Sequence, residues 1–217
     1  MDTIAVILAR KNSKRLKNKH YLKINGKNLV QNTINFATKL NFIKEIVLST
    51  DDKYFLNFDY GLNLIKIKRP KYLSTSKSSS ISAIKHVFTK LKNKNMKFRN
   101  ILLLQPTSPF RDLNIITLGF KLFKKNKYTM SVISMSKTKN TLKRFFELEK
   151  NKLVLSQPNK KKSLFQANGN FYFASKKYIL RNNSFFCKNK SLAFLIKNSR
   201  ISIDIDTYQD YKKAIKF

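Results

Sequence analysis

An unbroken apolar run of six residues, Ile4 to Ala9, stands almost at the start of the chain. The run is long enough for one strand, too short for a typical helix, and apolar at every position. Strands of this kind are buried on both faces and belong to parallel sheets that helices cover. The run therefore predicts a central strand of an α/β fold.

A cluster of cations and hydroxyl groups follows this strand directly and contains Arg10, Ser13, Lys14 and Lys19. The carboxyl ends of parallel strands form the edge at which open α/β sheets bind ligands. Cationic side chains, the Ser13 hydroxyl and nearby backbone amides suit a polyphosphate. The alternative is a solvated basic loop, which is the preferred interpretation for cationic clusters elsewhere in this lysine-rich chain.

The rest of the chain alternates strand patterns with helix patterns. Apolar runs predict further strands, and apolar residues at helical spacing predict the helices between them. The expected strands are 45–49, 64–67, 100–104, 130–134, 169–174 and 201–206, and the expected helices are 30–40, 81–91, 113–126 and a closing helix capped by Thr207. The Asn25-Gly26 pair before the first of these helices predicts a tight turn. This order of strands and helices is typical of a three-layer α/β/α fold of the nucleotidyltransferase type with a mostly parallel sheet, in which residues 101–104 form a second central strand.

One stretch breaks this alternation. Residues 137–165 are polar, rich in lysine and without a long apolar period. The length of the chain suits one domain. We therefore expect a single domain over residues 1–217, in which 137–165 is an arm, a lid or a dimer contact.

The charge of the chain is strongly positive, because 46 Lys and Arg stand against 11 Asp and Glu, a net charge of +35. Such a balance is compatible with binding to nucleic acid or an anionic surface. The cations are spread from end to end, however, and Lys, Asn, Ile and Phe are all abundant. Codon bias of an AT-rich genome is the preferred explanation, so only weak, salt-sensitive adhesion to nucleic acid is expected, without a specific nucleic-acid partner.

The location of the chain is predicted from what its sequence lacks. No apolar run approaches the length of a membrane span, and no signal peptide is apparent. Cys187 is the single cysteine, so we expect neither an internal disulfide nor a cysteine metal site. The cytoplasm is the expected compartment, without membrane insertion.

Asp204 and Asp206 form the second candidate site. Residues two apart on a strand point to the same face, so both carboxylates should project together. A divalent cation would neutralise such a pair, and oxygen ligands beside a phosphate-rich substrate suit Mg²⁺. The alternative for Asp206 is a role at the start of the closing helix beside Thr207.

Three further features have both a structural and a functional interpretation. Gln105 precedes a proline-rich loop and has the amide that sugar recognition uses, but a plain proline turn is the simpler alternative. Arg69 and the hydroxyl groups of 78–80 could frame a nucleobase or belong to an ordinary helix entry. Phe185 and Phe186 are expected in the core by default, with a substrate wall or subunit contact as the alternative.

Two common nucleotide-binding patterns are missing from the sequence. The chain has only 4 Gly residues and contains neither GxGxxG nor GxxxxGK[ST]. The sequence therefore predicts neither a Rossmann dinucleotide site nor a P-loop. His20 and His86 have no acidic or thiol partner in sequence that would indicate a triad or a metal cluster.

Seven short motifs together resemble the acylneuraminate cytidylyltransferases, also called CMP-sialic acid synthetases. They span nearly the whole chain in the order of that family. They are A-R-x-x-S-K-R-L-x-x-K (9–19), S-T-D (49–51), R-P with a serine-rich loop (69–80), L-Q-P-T-S-P-x-R (104–111), N-G-x-x-Y (168–172), F-F (185–186) and D-I-D-T (204–207). The first loop with Q-P-T-S-P-x-R and D-I-D-T is a specific combination.

The resemblance implies that the enzyme is a nucleotidyltransferase, in which CTP and a nonulosonic acid give a CMP-sugar and pyrophosphate with Mg²⁺. By analogy, Arg10, Ser13, Lys14 and Lys19 hold the phosphates, and Lys19 neutralises charge at the α-phosphate. The other implied contacts are Arg69 and Ser80 to cytosine, Asn168 near the ribose or phosphate, Gln105 and Tyr172 to the sugar, Phe185 and Phe186 lining its pocket across a homodimer interface, and Asp204 and Asp206 to the metal. Arg10, Lys19, Asp204 and Asp206 are the implied catalytic residues.

The sequence departs from the family pattern at three places. His20 replaces the usual Asn after the catalytic Lys, Gln166 replaces an Arg, and Ser76-Lys77 replaces Asp-Thr. Lysines 160–162 are candidates to supply the charge missing at Gln166. These departures bear on efficiency and sugar identity. The alternative enzyme is a 3-deoxy-manno-octulosonate cytidylyltransferase, and the alternative class is a basic nucleic-acid-binding α/β protein.

Overall fold

The structure is a computed structural model that describes residues 2–138, 146–149, 152–155 and 164–217. The strands are β1 (Thr3–Ala9), β2 (Lys23–Ile24), β3 (Lys27–Asn28), β4 (Ile43–Thr50), β5 (Ile65–Lys68), β6 (Asn100–Leu104), β7 (Ser131–Thr138), β8 (Phe146–Glu149), β9 (Lys152–Leu155), β10 (Leu164–Ser175) and β11 (Ser191–Leu195). The α-helices are α1 (Leu29–Ala37), α2 (Lys53–Asn57), α3 (Ser80–Asn93), α4 (Leu113–Lys125), α5 (Lys176–Asn182) and α6 (Tyr208–Ala214). Two short 3-10 helices span Lys19–Tyr21 and Lys71–Leu73.

The main sheet has the strand order β5-β4-β1-β6-β10-β7-β11-β9-β8. Strand β1 lies between β4 and β6 and is parallel to both, with Ile4 opposite Glu45 on one side and Ile101 on the other. Side chains of both β1 and β6 are buried on the two faces of the sheet. The prediction of two central buried strands is therefore confirmed.

Helices cover both faces of the sheet. On one face, Ile4 and Val6 pack with the apolar residues of α3 and α5. On the other face, Ala5 and Ile7 pack with those of α1 and α4. The alternation of side chains along β1 thus serves two separate cores, which is the three-layer α/β/α architecture that the sequence predicts.

The Asn25–Gly26 pair makes the tight turn expected of it. Both residues have positive φ, 51° and 76°, and β2 and β3 pair across them. Positive φ at both central positions is the geometry that favours Asn-Gly in a two-residue hairpin. The hairpin carries the chain from the basic loop into α1.

Strand β10 runs against the direction of its neighbours and was expected only in part. It is antiparallel to β6 and β7, and the register with β7 shifts between Ala167 and Tyr172. The shift contains the Asn168-Gly169 pair, where Gly169 has a φ of 76°. This bulge bends the strand at the level of the loop after β6.

The expected excursion at 137–165 falls partly outside the described residues. Its described parts continue the sheet, since β7 extends to Thr138, β10 begins at Leu164, and β8 pairs with β9 as an antiparallel hairpin. Lysines 160–162 lie outside the described residues. Its role as a dimerisation or lid segment stays a prediction.

The prediction of a strand at 201–206 is wrong. The backbone at 202–203 makes local turn hydrogen bonds, and Ile205 N–H donates to the carbonyl of Thr107 at 2.7 Å. The strand position beside β7 is instead filled by β11, whose pattern the sequence analysis missed. Ile205 is fully buried in a small cluster with Leu29 and Phe110. The apolar alternation of 201–206 therefore reflects side-chain packing against a loop and helices, and not the hydrogen bonding of a strand in a sheet.

Candidate active site

A cleft of about 330 Å³ lies at the carboxyl edge of β1 and β6. Four stretches form it: the end of β1 with the basic loop, Arg69 with the serine-rich loop, the loop after β6, and the segment before α6. The lining residues are Leu8, Arg10, Arg15, Lys19, His20, Arg69, Leu73, Ser76, Ser78, Ser79, Ser80, Ala83, Gln105, Pro106, Thr107, Asp204 and Asp206. The cleft lies where parallel sheets bind their ligands.

The cleft brings together seven of the residues predicted from the sequence: Arg10, Lys19, Arg69, Ser80, Gln105, Asp204 and Asp206. Ser13 and Lys14 lie on the same basic loop, half-buried and exposed respectively, but outside the lining. Asn168, Tyr172, Phe185 and Phe186 also lie outside it. Four stretches far apart in sequence thus converge on one basic and acidic cleft.

The basic loop is fixed against two neighbouring segments. Arg10 Nη1 donates to the carbonyl of Thr75 at 2.7 Å, which ties the loop to the serine-rich loop. Lys11 N–H donates to Asp51 Oδ1 at 2.8 Å, and Asp51 follows β4 directly. The loop is therefore held at both sides of the cleft.

Arg69 is a buried, oriented cation on the floor of the cleft. Its Nη2 donates to the carbonyl of Ser49 at 2.5 Å and its Nε donates to Ser49 Oγ at 3.1 Å. Burial lowers the pKa of Arg69 to about 10, against the opposing effect of the Asp51 carboxylate. The guanidinium group is thus charged at neutral pH and available to a base carbonyl or an anion.

The serine-rich loop ends in the N-terminus of α3. Ser79 Oγ accepts a hydrogen bond from Ser82 N–H at 3.0 Å and caps the helix. Ser78 Oγ donates to the carbonyl of Tyr72 at 2.9 Å. The helix-entry interpretation is therefore confirmed for Ser79, and the same loop lines the cleft.

His20 is a lining residue to which the sequence analysis assigned no role. It is 5 % exposed. Burial lowers its pKa to about 3, and the positive charges of Lys19, Arg69 and Arg10 act in the same direction. The imidazole is therefore neutral near pH 7, although it lies among cations.

Asp206 pairs with two cations of the basic loop. Its Oδ2 lies 2.9 Å from Arg15 Nη2, and its Oδ1 lies 3.5 Å from Lys19 Nζ. Arg15 is a second lining residue that sequence reasoning missed, because nothing near residue 15 indicates its partner at 206. These contacts join the N-terminal and C-terminal walls of the cleft.

The donor set fits a hard divalent cation. Asp204 and Asp206 line the same cleft, and positive groups already occupy both oxygens of Asp206. Carboxylate oxygens are the ligands that Mg²⁺ takes, with water and substrate phosphates completing its shell. Among the described residues, no group of three or more His, Cys, Asp and Glu forms a candidate metal site. Two carboxylates next to the basic loop therefore suit a metal whose remaining ligands are water and phosphate oxygens.

The loop after β6 is locked to the bulge in β10. Gln105 N–H donates to the carbonyl of Gly169 at 3.3 Å, and Ser108 Oγ donates to the carbonyl of Asn168 at 2.8 Å. A Cβ atom at Gly169 would lie 2.6 Å from Gln105 Oε1. Gly169 therefore allows the Gln105 side chain to take its place in the cleft.

Arg111 supports this loop from beneath. Its Nη2 donates to the carbonyl of Gln105 at 2.5 Å, and its Nε donates to the carbonyl of Asn170 at 3.2 Å. Burial lowers the pKa of Arg111 to about 9. The last residue of the Q-P-T-S-P-x-R motif thus orients the loop rather than lining the cleft.

The other predicted sugar and nucleotide residues lie behind the cleft. Asn168 is buried, and its Oδ1 accepts from Asn170 N–H at 3.2 Å. Tyr172 is also buried, and burial, with a smaller effect of Asp204, raises the pKa of its hydroxyl group. Its ring lies 5.3 Å from Phe185 and 6.3 Å from Phe186 between centroids.

Phe185 belongs to the core of this chain. It is 4 % exposed, and its carbonyl accepts a hydrogen bond from Ser131 Oγ at 2.6 Å. The structure does not bring Phe185 or Phe186 to the cleft. Phe185 therefore packs in the core, as the default interpretation of the sequence predicted.

No helix in the described ranges is long and apolar enough to cross a membrane. Cys187 is a free, half-buried thiol and is absent from the lining of the cleft.

Comparison with known proteins gives one family and several relatives. A family model described as Cytidylyltransferase matches residues 4–217. The chain is 32 % identical to CMP-N,N'-diacetyllegionaminic acid synthase of Legionella pneumophila, over 97 % of this chain and 94 % of that protein. It is 30 % identical to N-acylneuraminate cytidylyltransferase of Escherichia coli, over 98 % of this chain but 51 % of that protein. The chain therefore spans about half the length of the latter relative.

Two further matches agree. Pseudaminic acid cytidylyltransferase of Campylobacter jejuni is 27 % identical, over 99 % of this chain and 95 % of that protein. Among solved structures, CMP:2-keto-3-deoxy-manno-octonic acid synthetase complexed with CTP superposes with a TM-score of 0.78 at 13 % identity, covering 100 % of this chain and 98 % of that one. The structural likeness shows a shared fold.

Proposed function

Because this chain belongs to the cytidylyltransferase family, we propose that it joins CTP to a nonulosonic acid, giving a CMP-sugar and pyrophosphate. The observation that carries the proposal is the convergence of Arg10, Lys19, Gln105 and the Asp204–Asp206 pair in one cleft. The relatives that match nearly the whole chain are named for legionaminic and pseudaminic acid. Those names favour a nine-carbon acid over octulosonate.

The reaction is an in-line displacement at phosphorus. The anomeric hydroxyl oxygen of the acid attacks the α-phosphate of CTP, the bond to the β-phosphate breaks, and pyrophosphate leaves. Such transfers depend on positioning and on neutralising charge. Arg10, Ser13, Lys14 and Lys19 hold the phosphates, and Lys19, placed at the α-phosphate, stabilises the charge that grows in the transition state.

The two substrates take opposite sides of the cleft in this proposal. Arg69 and Ser80, at the start of α3, face cytosine. Gln105 contacts the acid, since its amide both donates and accepts hydrogen bonds. Asn168 and Tyr172 act from behind this wall, where Asn168 shapes the β10 bulge and Tyr172 lies close enough to Asp204 for that carboxylate to raise its pKa.

Asp204 and Asp206 hold Mg²⁺ in this proposal. The ion supplies positive charge to the phosphates when it is bound. Changing either residue to Asn removes one anionic ligand and should cut turnover sharply while the melting temperature changes little. The measurement is pyrophosphate release at saturating CTP across a Mg²⁺ titration. Wild-type rates in both variants would remove the metal assignment.

The function is tested directly with a panel of acids. Purified protein is incubated with CTP, Mg²⁺ and N-acetylneuraminate, legionaminate, pseudaminate or octulosonate, and pyrophosphate release is followed. Release with one of the nine-carbon acids supports the proposal and names the substrate. Lys19→Met should abolish the signal, whereas Lys17→Met, an exposed lysine on the same loop, should not. Release only with octulosonate selects the alternative enzyme, and silence across the panel contradicts both.

We also propose that the protein works as a homodimer in the cytoplasm, where its nucleotide substrate is made. The support for assembly is the polar, lysine-rich stretch 137–165, which interrupts the alternation of strand and helix patterns. Sedimentation at assay concentration gives the test. A fully active monomer would contradict the dimer.

A further inference from the structure

The carboxylate assigned to the metal and the cations assigned to the triphosphate are paired with each other in the structure. Arg15 lies 2.9 Å from Asp206 Oδ2, and Lys19 lies 3.5 Å from Asp206 Oδ1. Each oxygen thus faces a different cation. Phosphate oxygens would compete with Asp206 for the same N–H donors, and a metal would compete with the same cations for the same oxygens.

The carboxylate side of this pair is the fixed one. Asp206 N–H donates to Asp210 Oδ2 at 3.1 Å, within the capping box at the start of α6. Ile205 N–H is held by the carbonyl of Thr107. The Asp206 side chain is 11 % exposed, whereas that of Arg15 is 61 % exposed. Arg15 is therefore the partner that is free to move.

We infer that Arg15 is an exchangeable counter-ion of Asp206, which leaves that carboxylate for the triphosphate when the metal arrives. The inference deepens the proposed function and rests on it. It makes Arg15 a positioning residue, and nothing in the sequence motifs assigns it that role. Lys19 makes the same exchange from a more buried position, since its side chain is 15 % exposed.

The exchange has a consequence for binding. With neither ligand present, the Asp206 carboxylate is paired with both cations. A metal alone displaces Arg15 and Lys19 from Asp206 and leaves these cations without a partner anion, and a triphosphate alone leaves the carboxylate without a partner cation. Both ligands together replace every broken pair, so metal and nucleotide bind with positive coupling.

Arg15→Ala separates this inference from a purely structural role. Removing Arg15 takes away a competitor of the metal and an attractor of the phosphates, so the two affinities should move in opposite directions. We expect Mn²⁺ alone to bind the variant roughly two- to fivefold more tightly, and CTP in EDTA to bind it weaker by a similar factor, as for one ion pair with an exposed partner. Water-proton relaxation measures Mn²⁺ binding, and calorimetry measures CTP binding.

Lys17→Ala is the matched control, because it removes one charge from the same loop without touching the cleft. It should leave the affinity for Mn²⁺ nearly unchanged. In Asp206→Asn, the further change Arg15→Ala should no longer tighten Mn²⁺ binding. Three results with a folded Arg15→Ala protein would overturn the inference: its affinities for Mn²⁺ and CTP both fall, both stay unchanged, or both match those of the Lys17→Ala control. So would the absence of Mn²⁺ binding in both wild type and variant.

Failure of the exchange and failure of the function give different results. Pyrophosphate release from wild type without opposite shifts in Arg15→Ala removes the exchange alone. Opposite shifts without pyrophosphate release for any acid remove the function alone.

Discussion

His20 is the residue whose chemistry depends most on its surroundings. It is buried beside three cations and is neutral, with a pKa of about 3 against 6.5 in a free chain. Between these two values the unfolded chain binds a proton that the folded chain does not. The free energy of unfolding therefore rises with pH across this window. The contribution of His20 to stability is lost progressively as pH falls below 6.5.

This behaviour predicts a measurable pH slope. Between pH 7 and pH 5, His20 should cost the folded state about 2 kcal/mol. His20→Asn removes the titrating group, so its denaturant midpoint should fall less over the same interval. His86→Asn is the comparison: His86 is only half-buried, and burial lowers its pKa in the same direction, so this change should alter the slope less than His20→Asn does. Identical slopes in wild type and His20→Asn would show that His20 is charged or accessible in the folded protein.

The sequence predicted residue types at the cleft better than their partners. Arg10, Lys19, Asp204 and Asp206 were found because motif and position indicate phosphate and metal chemistry. The Arg15–Asp206 pair was not found, since it depends on how two distant segments meet. The neutral state of His20 depends in the same way on burial by residues far away in sequence.

At the scale of elements, the contact between the β10 bulge and the loop after β6 decides where Gln105 lies. Gly169 has positive φ, and a Cβ atom there would lie 2.5 Å from Ser108 Oγ and 2.6 Å from Gln105 Oε1. A side chain at this position is therefore strained twice, by its backbone geometry and by contact.

Gly169→Ala should move Gln105 and weaken binding of the acid. The left-handed backbone costs about 1–2 kcal/mol, and displacing the two side chains adds about 1–3 kcal/mol. Gly61→Ala is a matched control, with φ of 64° and nothing within 4 Å of the added Cβ atom. We expect KM for the acid to rise in Gly169→Ala alone, and chemical denaturation to show the larger loss there. Equal effects of the two changes would contradict the contact.

Arg111 gives a second prediction at this scale, since it joins the loop after β6 to β10 and α1. It donates to the carbonyls of Gln105 and Asn170 and to Thr33 Oγ1. Arg111→Met leaves these acceptors without their donor and should lower the free energy of unfolding by about 2–3 kcal/mol.

Arg99→Met provides the comparison for Arg111. Arg99 pairs with Asp2 at 3.2 Å, but its side chain is 85 % exposed. Its loss should change stability by no more than about 0.5 kcal/mol. If urea denaturation gave the two variants the same stability, the supporting role of Arg111 would be wrong.

Elements were predicted where their pattern is local. The run at Ile4–Ala9 and the Asn25–Gly26 turn contain their own signals, because burial on both faces and positive φ each demand particular residues. The segment 201–206 has the same alternation as a strand, yet its backbone bonds to a loop and to itself. Alternation reports which side chains are buried, and it does not report what the backbone pairs with.

At the scale of the whole molecule, layer order followed from the sequence but strand order did not. Repeated strand and helix patterns require helices on both faces of the sheet. The place of β10 between β6 and β7, antiparallel to both, depends on which strand edges meet after the chain has left and returned. No local pattern carries that information.

The net charge of +35 supplies the last prediction. The charge should attract any polyanion, because such binding comes from counterion release and not from base contacts. Random DNA and RNA of equal length should bind comparably at about 50 mM salt, and should lose about 10³-fold or more in affinity by about 200 mM. Turnover should persist at the higher salt, because the buried Arg69 and the half-buried Lys19 act at short range inside the cleft, where salt screens charges less.

The measurement is a salt titration of nucleic-acid binding by fluorescence anisotropy, in parallel with pyrophosphate release on the same protein. Heparin is the control and should displace DNA and RNA equally well, since only charge is recognised. One RNA sequence that stayed bound at 200 mM salt and resisted heparin would show base or shape recognition. That result would favour the nucleic-acid-binding class. If binding of every polyanion is lost at about 200 mM salt while turnover is retained, the residues of the cleft, and not the net charge of the chain, determine the function.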